Sequence, residues 1–284
     1  MRRSVQIKSI AILALFLLTM GIWYAALRED RHGILTVSFL DIGQGDSIYI
    51  EAPSGRQVLI DGGSDSSVIR RLSQVMPFWD RSIDVVVGTH PDADHIGGLV
   101  DVLPRYSVGM VVQSSVQGST ATWKTFEREI SEEGAQVVIA KRGQIIDLGE
   151  GAYLEVLFPD RDVPKVETNT GCVVTRLVYG ATSFLLPCDT TQAVEKYIVG
   201  LDGAALKSNV LKAAHHGSKT SSAPLFVGFT QPEYGVISRG CNNSYGHPNQ
   251  ETLDTFARFD IPISDTCKDG TITFVSDGKT VTKR

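Results

Sequence analysis

A chain of 284 residues that is 42% hydrophobic and 21% charged has the composition of an ordinary globular protein, which excludes wholesale disorder and leaves room for one large domain or two small ones. A formal net charge of −5 excludes a basic coat that grips nucleic acid by phosphate neutralisation alone, so a polyanion would need a local cationic site, which bound metal ions can supply. The cysteines, Cys172, Cys188, Cys241 and Cys267, form no C-x-x-C pair, which excludes a thiolate zinc site.

The first element stands apart in composition. Arg2, Arg3 and Lys8 make residues 1–8 a basic tail, and an uncharged apolar run follows from Ser9 to Leu27. That length matches the roughly 20 residues a bilayer core requires, with Trp23 and Tyr24 at the interfacial position. The positive flank predicts a cytoplasmic N-terminus, a single-pass anchor over 9–27 and everything beyond Arg28 outside the cytoplasm. A cleaved signal peptide, giving a secreted protein, is the competing reading, although no clean Ala-x-Ala site follows. Residues 28–33 read as a polar stem.

Residues 34–284 read as a single domain without repeats or low-complexity tracts. Alternating apolar residues predict strands at 35–39, 47–51 and 57–60, an opening meander. A helical period covers 67–76. The apolar run from Ile83 to Val87 predicts a buried strand that ends at Thr89 and His90. Helix 95–104, strand 109–113, helix 120–133 and strand 136–140 continue the alternation. Strands are then expected at 152–158, 172–179 and 182–187, a helix at 190–199, a strand at 209–213, a helix at 222–229, a strand at 234–238, a helix at 248–258 and final strands between 262 and 283. Two mixed sheets flanked by helices make an α/β protein of αββα four-layer sandwich type.

The residues with chemical potential gather at strand ends. His90, Asp92, Asp94 and His95 crowd four metal-competent side chains into six residues at the carboxyl end of a buried strand, where α/β proteins bind ligands. Gly97 and Gly98 permit close backbone approach beside them. Of six histidines only His32 lies outside three short motifs, the others being His90 and His95, His215 and His216, and His247. Asp189 closes the apolar strand Phe184–Cys188, either as a metal ligand or as the N-cap of the next helix. His215 closes the strand 209–213 in the same manner.

Five segments together resemble the metallo-β-lactamase-fold domain of the ComEC family of competence proteins: Phe39-Leu-Asp-Ile-Gly-Gln-Gly-Asp46, Leu59-Ile-Asp-Gly-Gly63, Thr89-His-Pro-Asp-Ala-Asp-His-Ile-Gly-Gly98, His215-His-Gly-Ser-Lys-Thr-Ser-Ser222 and Asn243-Ser-Tyr-Gly-His-Pro248. The resemblance covers residues 34–284, without the family's polytopic and oligonucleotide-binding regions. It implies a metallo-β-lactamase fold and two divalent ions, with His90 and Asp92 on one, Asp94, His95 and His215 on the other, and Asp189 bridging. It implies an orienting role for Asp61 and attack by a hydroxide held between the ions, with Asp94 and Asp61 in the catalytic set. Asp92 stands where the wider superfamily has a second histidine, and no histidine occurs between 96 and 214. Asn169 is the substitute expected near that missing ligand. The first site is therefore oxygen-rich, which favours manganese or magnesium, while zinc suits the second. The chain departs from the family's Leu-Thr-Gly-Asp by reading Leu186-Pro-Cys-Asp189, with Cys188 expected as a small buried thiol rather than a soft ligand.

The loop Gly217–Ser222 offers hydroxyls, Lys219 and a helix start, either a phosphate cradle using His216, Ser218, Lys219 and Thr220 or an ordinary capped helix entry. Arg239 and Lys219 are expected to contact a nucleic-acid backbone. His247 is expected as proton donor to a leaving oxygen or as a capping residue. Cys241 and Cys267 follow neighbouring strands and could pair outside the cell. These readings converge on an extracytoplasmic metal-dependent phosphodiesterase or nuclease acting on DNA. The alternatives are hydrolysis of a carbonyl ester, lactone or lactam, and a non-catalytic binding module in a DNA-uptake assembly.

Overall fold

In the computed structural model, the described residues are 2–29 and 33–284, with side chains described for 6–23 and 33–284. Of the expected stem at 28–33, Arg28 and Glu29 continue the first helix, and residues 30–32 lie outside the described residues. Helix α1 runs Arg2–Glu29, and its stretch Gln6–Trp23 is long and apolar enough to cross a membrane by length and composition.

Two sheets follow. Sheet A has the order β15-β14-β1-β2-β3-β4-β5-β6, from strands β1 (Leu35–Phe39), β2 (Ile48–Glu51), β3 (Gln57–Ile60), β4 (Ser82–Gly88), β5 (Ser107–Gln113), β6 (Gln136–Ile139), β14 (Ile272–Ser276) and β15 (Val281–Lys283). Sheet B has the order β13-β12-β11-β10-β9-β8-β7, from β7 (Ile145–Gly149), β8 (Ala152–Phe158), β9 (Val174–Tyr179), β10 (Thr182–Leu186), β11 (Val210–Lys212), β12 (Tyr234–Ile237) and β13 (Ile263–Asp265).

Side-chain alternation with period two divides the apolar residues between layers. Val37, Phe39, Ile50, Val58, Val85 and Val87 meet Leu154, Leu177, Phe184 and Val210 between the sheets. Leu59, Val86 and Val111 on the reverse of sheet A pack under α2 (Ser67–Val75) and α5 (Ala121–Glu133), through Leu72 and Phe126. Leu185, Leu211 and Ile237 pack under α6 (Gln192–Asp202), α7 (Pro224–Thr230) and α8 (Gln250–Arg258). The molecule is thus an αββα sandwich.

The expected helix over 95–104 is two short pieces, α3 (Ala93–Ile96) and α4 (Leu99–Val102), joined through Gly97 and Gly98. A Cβ on Gly98 would stand 2.1 Å from the Gly62 carbonyl oxygen and one on Gly97 2.4 Å from that of Ser64, so the backbones pack in direct contact. Strand β7 had no sequence signal, because as the edge of sheet B it leaves Ile145 exposed and blurs the alternation.

Strand direction places the site. The row Phe39, Ile48, Ile60, Val87, Val112 crosses sheet A near one end, and the turns after β1, β3 and β4 leave from that end. In sheet B, β10, β11, β12 and β13 are mutually parallel, so their carboxyl ends gather in the same way.

Candidate metal centre

Three imidazoles converge at this end, and their hydrogen bonds fix which nitrogen each presents. His95 Nδ1 lies 2.7 Å from Asp61 Oδ2, an acceptor, so Nδ1 carries the proton. His216 Nδ1 lies 3.0 Å from the Ser238 carbonyl oxygen, with the same consequence. Thr89 spends its only hydroxyl proton on Asp61 Oδ2 at 2.7 Å, so its oxygen accepts from His90 Nδ1 at 3.0 Å. All three rings therefore turn an Nε2 lone pair inward, and none of these buried Nε2 atoms has a hydrogen-bond partner.

Carboxylates complete the pattern. Asp189 Oδ2 stands 3.2 Å from His95 Nε2 and 3.3 Å from His216 Nε2, while its Oδ1 is buried without a partner. Asp94 Oδ2 lies 3.4 Å from His216 Nε2, and Asp92 Oδ2 lies 3.5 Å from His90 Nε2. Ligands bound at 2.0–2.1 Å in a tetrahedral shell sit roughly 3.3 Å apart. Donor atoms of His90, His95 and Asp189, and likewise of Asp94, His95 and His216, lie within 4.8 Å of one another. Unpartnered lone pairs facing carboxylates at this spacing fit divalent cations.

The electrostatics agree. Burial opposes ionisation of Asp189, but His216 and His95 beside it hold its pKa well below the carboxylate range. Burial likewise opposes charge on His95 and His216, yet Asp189, with Asp61 at His95 and Asp46 at His216, pulls both well above the ordinary imidazole value. Histidines that gain protons because carboxylates surround them occupy a place suited to another cation.

Beneath the cluster lies an ion pair that sequence reasoning missed. Lys212 Nζ stands 2.6 Å from Asp46 Oδ2, and both side chains are at most 2% exposed. Asp46 also faces His216 Nδ1 at 3.4 Å. Burial works against its charge, but Lys212 and then His216 lower its pKa to about 2. Gly45 makes the approach possible, with φ 116° and a position where a Cβ would meet the Asp94 carbonyl oxygen at 1.9 Å. A lysine interrupting the apolar run Val210–Ala214 was the available signal, along with an aspartate after Gly43-Gln44-Gly45.

The remaining expected residues divide. His216, expected as a substrate contact, is the ring inside the cluster. His215, expected as the ligand, is 27% exposed, with Nε2 3.8 Å from Asp189. Both residues have left-handed backbone, φ 50° and 53°, and this turn sends the two rings in different directions. Asn169 has a buried Oδ1 without a partner, and its neighbour Thr168 donates to Asp92 Oδ2 at 3.0 Å. His247 stands at the mouth, stacked on Tyr245 at 5.6 Å and edge-on to His215 at 5.6 Å. Burial, reinforced by His215 and His216, lowers its pKa to about 4, so it is a neutral imidazole rather than a charged proton donor at neutral pH. In the 217–222 loop Ser218 is buried, its hydroxyl 2.9 Å from that of Thr220, and Lys219 is exposed. The helix begins at Gln192 with Thr191 in the N-cap position, so Asp189 is not its cap and faces the cluster.

Two expectations are corrected. Arg239 is buried and its guanidinium is committed to Asp265 at 2.7 and 2.9 Å, with a further bond to the His247 carbonyl, so it clamps the 240–247 loop and has no donor fork left for phosphate. Cys188 is not a thiol but is bonded to Cys172, tying the Asp189 turn to the segment that carries Asn169. Cys241 is bonded to Cys267, which ties down the start of the His247 loop.

Residues 40–240 match the metallo-β-lactamase superfamily model, and the chain belongs to that superfamily of metal-dependent hydrolases. Within it the chain is similar to competence proteins: it is 32% identical over 255 residues to ComE operon protein 3 of Bacillus subtilis and 28% identical over 242 residues to competence protein ComA of Neisseria gonorrhoeae. Each alignment covers 84% of this chain but 32% of the relative, so the chain spans about a third of their length. Among solved structures, the metallo-β-lactamase-fold protein YhfI from Bacillus subtilis shares the fold at TM-score 0.58 and 11% identity, covering 85% of this chain and 99% of that one.

Proposed function

We propose that this chain is a membrane-anchored, extracytoplasmic phosphodiesterase that cuts DNA. The observation that carries the reading is the set of three buried Nε2 lone pairs, each fixed by a hydrogen bond at Nδ1, facing Asp94, Asp189 and Asp92. His95, His216, Asp94 and Asp189 would hold one divalent ion, and His90, Asp92 and Asp189, with Asn169 alongside, a second. Bound divalent ions supply Lewis acidity and an activated water, the chemistry of phosphodiester hydrolysis without a nucleophilic side chain. Mixed nitrogen and oxygen donors suit zinc or manganese, and the oxygen-rich flank also suits magnesium.

The chain's own residues do the rest. Asp61 and Thr89 keep His95 and His90 in the metal-facing tautomer. Lys219 and Thr220, exposed in the loop after His216 and braced by buried Ser218, can hold a phosphate, and neutral His247 can give a hydrogen bond to the departing oxygen. Similarity to competence proteins supports DNA as the polymer. The apolar helix Gln6–Trp23 with Arg2 and Arg3 before it supports an anchor with the domain outside, and two disulfides suit an oxidising compartment.

The test is a substrate panel on the full chain in detergent: single- and double-stranded DNA, bis-nitrophenyl phosphate and nitrocefin, with Mn²⁺, Mg²⁺ or Zn²⁺. Cleavage of the phosphodiesters and not of nitrocefin is expected. Turnover of nitrocefin alone would overturn the reading in favour of carbonyl hydrolysis.

A further inference from the structure

Sheet A has two ends, and the metal centre uses one of them. At the other, Thr36, Glu51 and Gln57 form a row one residue removed from the Val58–Val85 pair, and the chain enters the sheet there from α1 through Gly33 and Leu35. Strand β4 also starts at this end. The loop feeding it is pinned beside β3, because Gln57 donates to Asp84 Oδ2 at 2.8 Å and to Asp80 Oδ2 at 2.5 Å. At the tip of that loop Phe78 and Trp79 are 76% and 55% exposed, their rings 4.8 Å apart and edge to face.

Two residues after Trp79 the chain reaches Arg81, which with Arg70, Arg105 and Tyr106 lines an open cavity of about 560 Å³. Arg81 lies 5.5 Å from the Tyr106 ring centroid and reaches its hydroxyl at 3.3 Å, which orients that guanidinium along the wall. Arg105 is steadied by Asp101 at 2.9 Å. Asp80 accepts hydrogen bonds from Gln57 and Ser82. The result is a local cationic cup next to an exposed aromatic wedge on a protein whose net charge is −5.

The geometry points to one occupant, an anionic bilayer surface: we infer that Phe78 and Trp79 insert among lipid headgroups while the arginine cup takes a lipid phosphate. This rests on the reading that residues 6–23 cross a membrane. Segment 24–34 then spans no more than about 40 Å even when fully extended, so the entry end of sheet A stays close to the bilayer. Aromatic rings seat at the headgroup level, and guanidiniums bind phosphate there. A nucleic-acid strand could use the same groups, but it would lie at the wrong end. The seven residues of β4 separate this loop from the metal centre by roughly 23 Å. Docking therefore holds the centre facing away from the membrane, open to a polymer arriving from outside.

The test uses the full chain in nanodiscs of phosphatidylcholine, with or without phosphatidylglycerol, made with brominated lipid as quencher. Trp23→Phe with Trp123→Phe leaves Trp79 as reporter, and Trp79→Phe with Trp123→Phe leaves Trp23. Trp79 emission is expected to fall by about half in discs with phosphatidylglycerol and at least about twofold less without it. Arg70→Glu, Arg81→Glu and Arg105→Glu together should abolish that lipid dependence. Quenching of Trp23 but not Trp79 overturns the docking and leaves the anchor standing, whereas failure to quench either removes the anchor as well. A change in Trp79 emission produced by an oligonucleotide and not by lipid would overturn the proposal and reassign the patch to nucleic acid.

Discussion

On one flank of the centre, Asp46, Asp61, His95, Asp189 and His216 have side chains at most 4% exposed, most of them fixed by two or more partners, and only Asp94 among that flank's carboxylates, at 31%, reaches toward solvent. On the other, His90 is equally buried, but Asp92 is 40% exposed and is steadied by Thr168, with Asn169 as the nearest further oxygen. The enclosed flank is set by contacts that reach deep into both sheets, the open flank by a short 3-10 turn at the surface (Thr168–Gly171). The difference teaches that two ions bound in such a centre would be held unequally: the enclosed position is part of the folded core, while the open one is adjustable.

Substitutions should break this contrast in a graded way. Asp189→Ala removes the carboxylate shared by both flanks, so DNA cleavage is expected to fall by roughly a thousandfold, with loss of both ions by metal analysis. Lys212→Met leaves Asp46 buried without its cation, so the domain should lose about 3 to 5 kcal/mol in urea unfolding. Adding Asp46→Leu should return part of that loss, because the pair rather than either charge is what the core requires.

The pH dependence of stability probes the end of the 217–222 loop through Glu195, which is buried and accepts the backbone N–H groups of Ser222 and Ala223 at 2.7 and 2.6 Å. Burial pushes its pKa up to about 7. The folded protein then keeps a proton that the unfolded chain releases above pH 4.5, so the stability this group adds is full below pH 4.5 and is lost as pH rises through 7. Wild type should lose about 3 kcal/mol over that interval relative to Glu195→Gln, read from thermal unfolding of both at each pH.

Asp61→Asn keeps the shape but weakens the partner that orients His95. Metal affinity on the enclosed flank should fall between about 10- and 100-fold by calorimetry. Asp92→Ala, on the open flank, is the mildest: about a tenfold loss in affinity for one ion, with the other unchanged. Equal effects of Asp92→Ala on both ions would erase the distinction between the flanks.

What could be read in the sequence follows the same division between local and distant causes. The His90–His95 cluster was legible because four ligand side chains follow one buried strand, and the sandwich was legible from strands whose apolar residues alternate. The choice between His215 and His216 was not, since adjacent residues of one kind differ only in the left-handed turn the chain makes there. Asp46 and Lys212 lie far apart in sequence, and only the sandwich brings them to 2.6 Å. Arg239 looked available because its partner Asp265 sits on a neighbouring strand that sequence pattern cannot pair with it. Cys172 and Cys188 stand at the open end of the β9–β10 hairpin, and their bond follows from that pairing rather than from any cysteine spacing motif.

The most direct test of the central claim is a metal titration of the stripped full chain, following cleavage of a labelled DNA oligonucleotide as Mn²⁺ is added in known equivalents. A two-ion phosphodiesterase predicts no cutting without metal, a rise that plateaus near about two equivalents, and no recovery in Asp189→Ala at any concentration. Cutting that survives metal removal, or that Asp189→Ala performs as well as wild type, would contradict it.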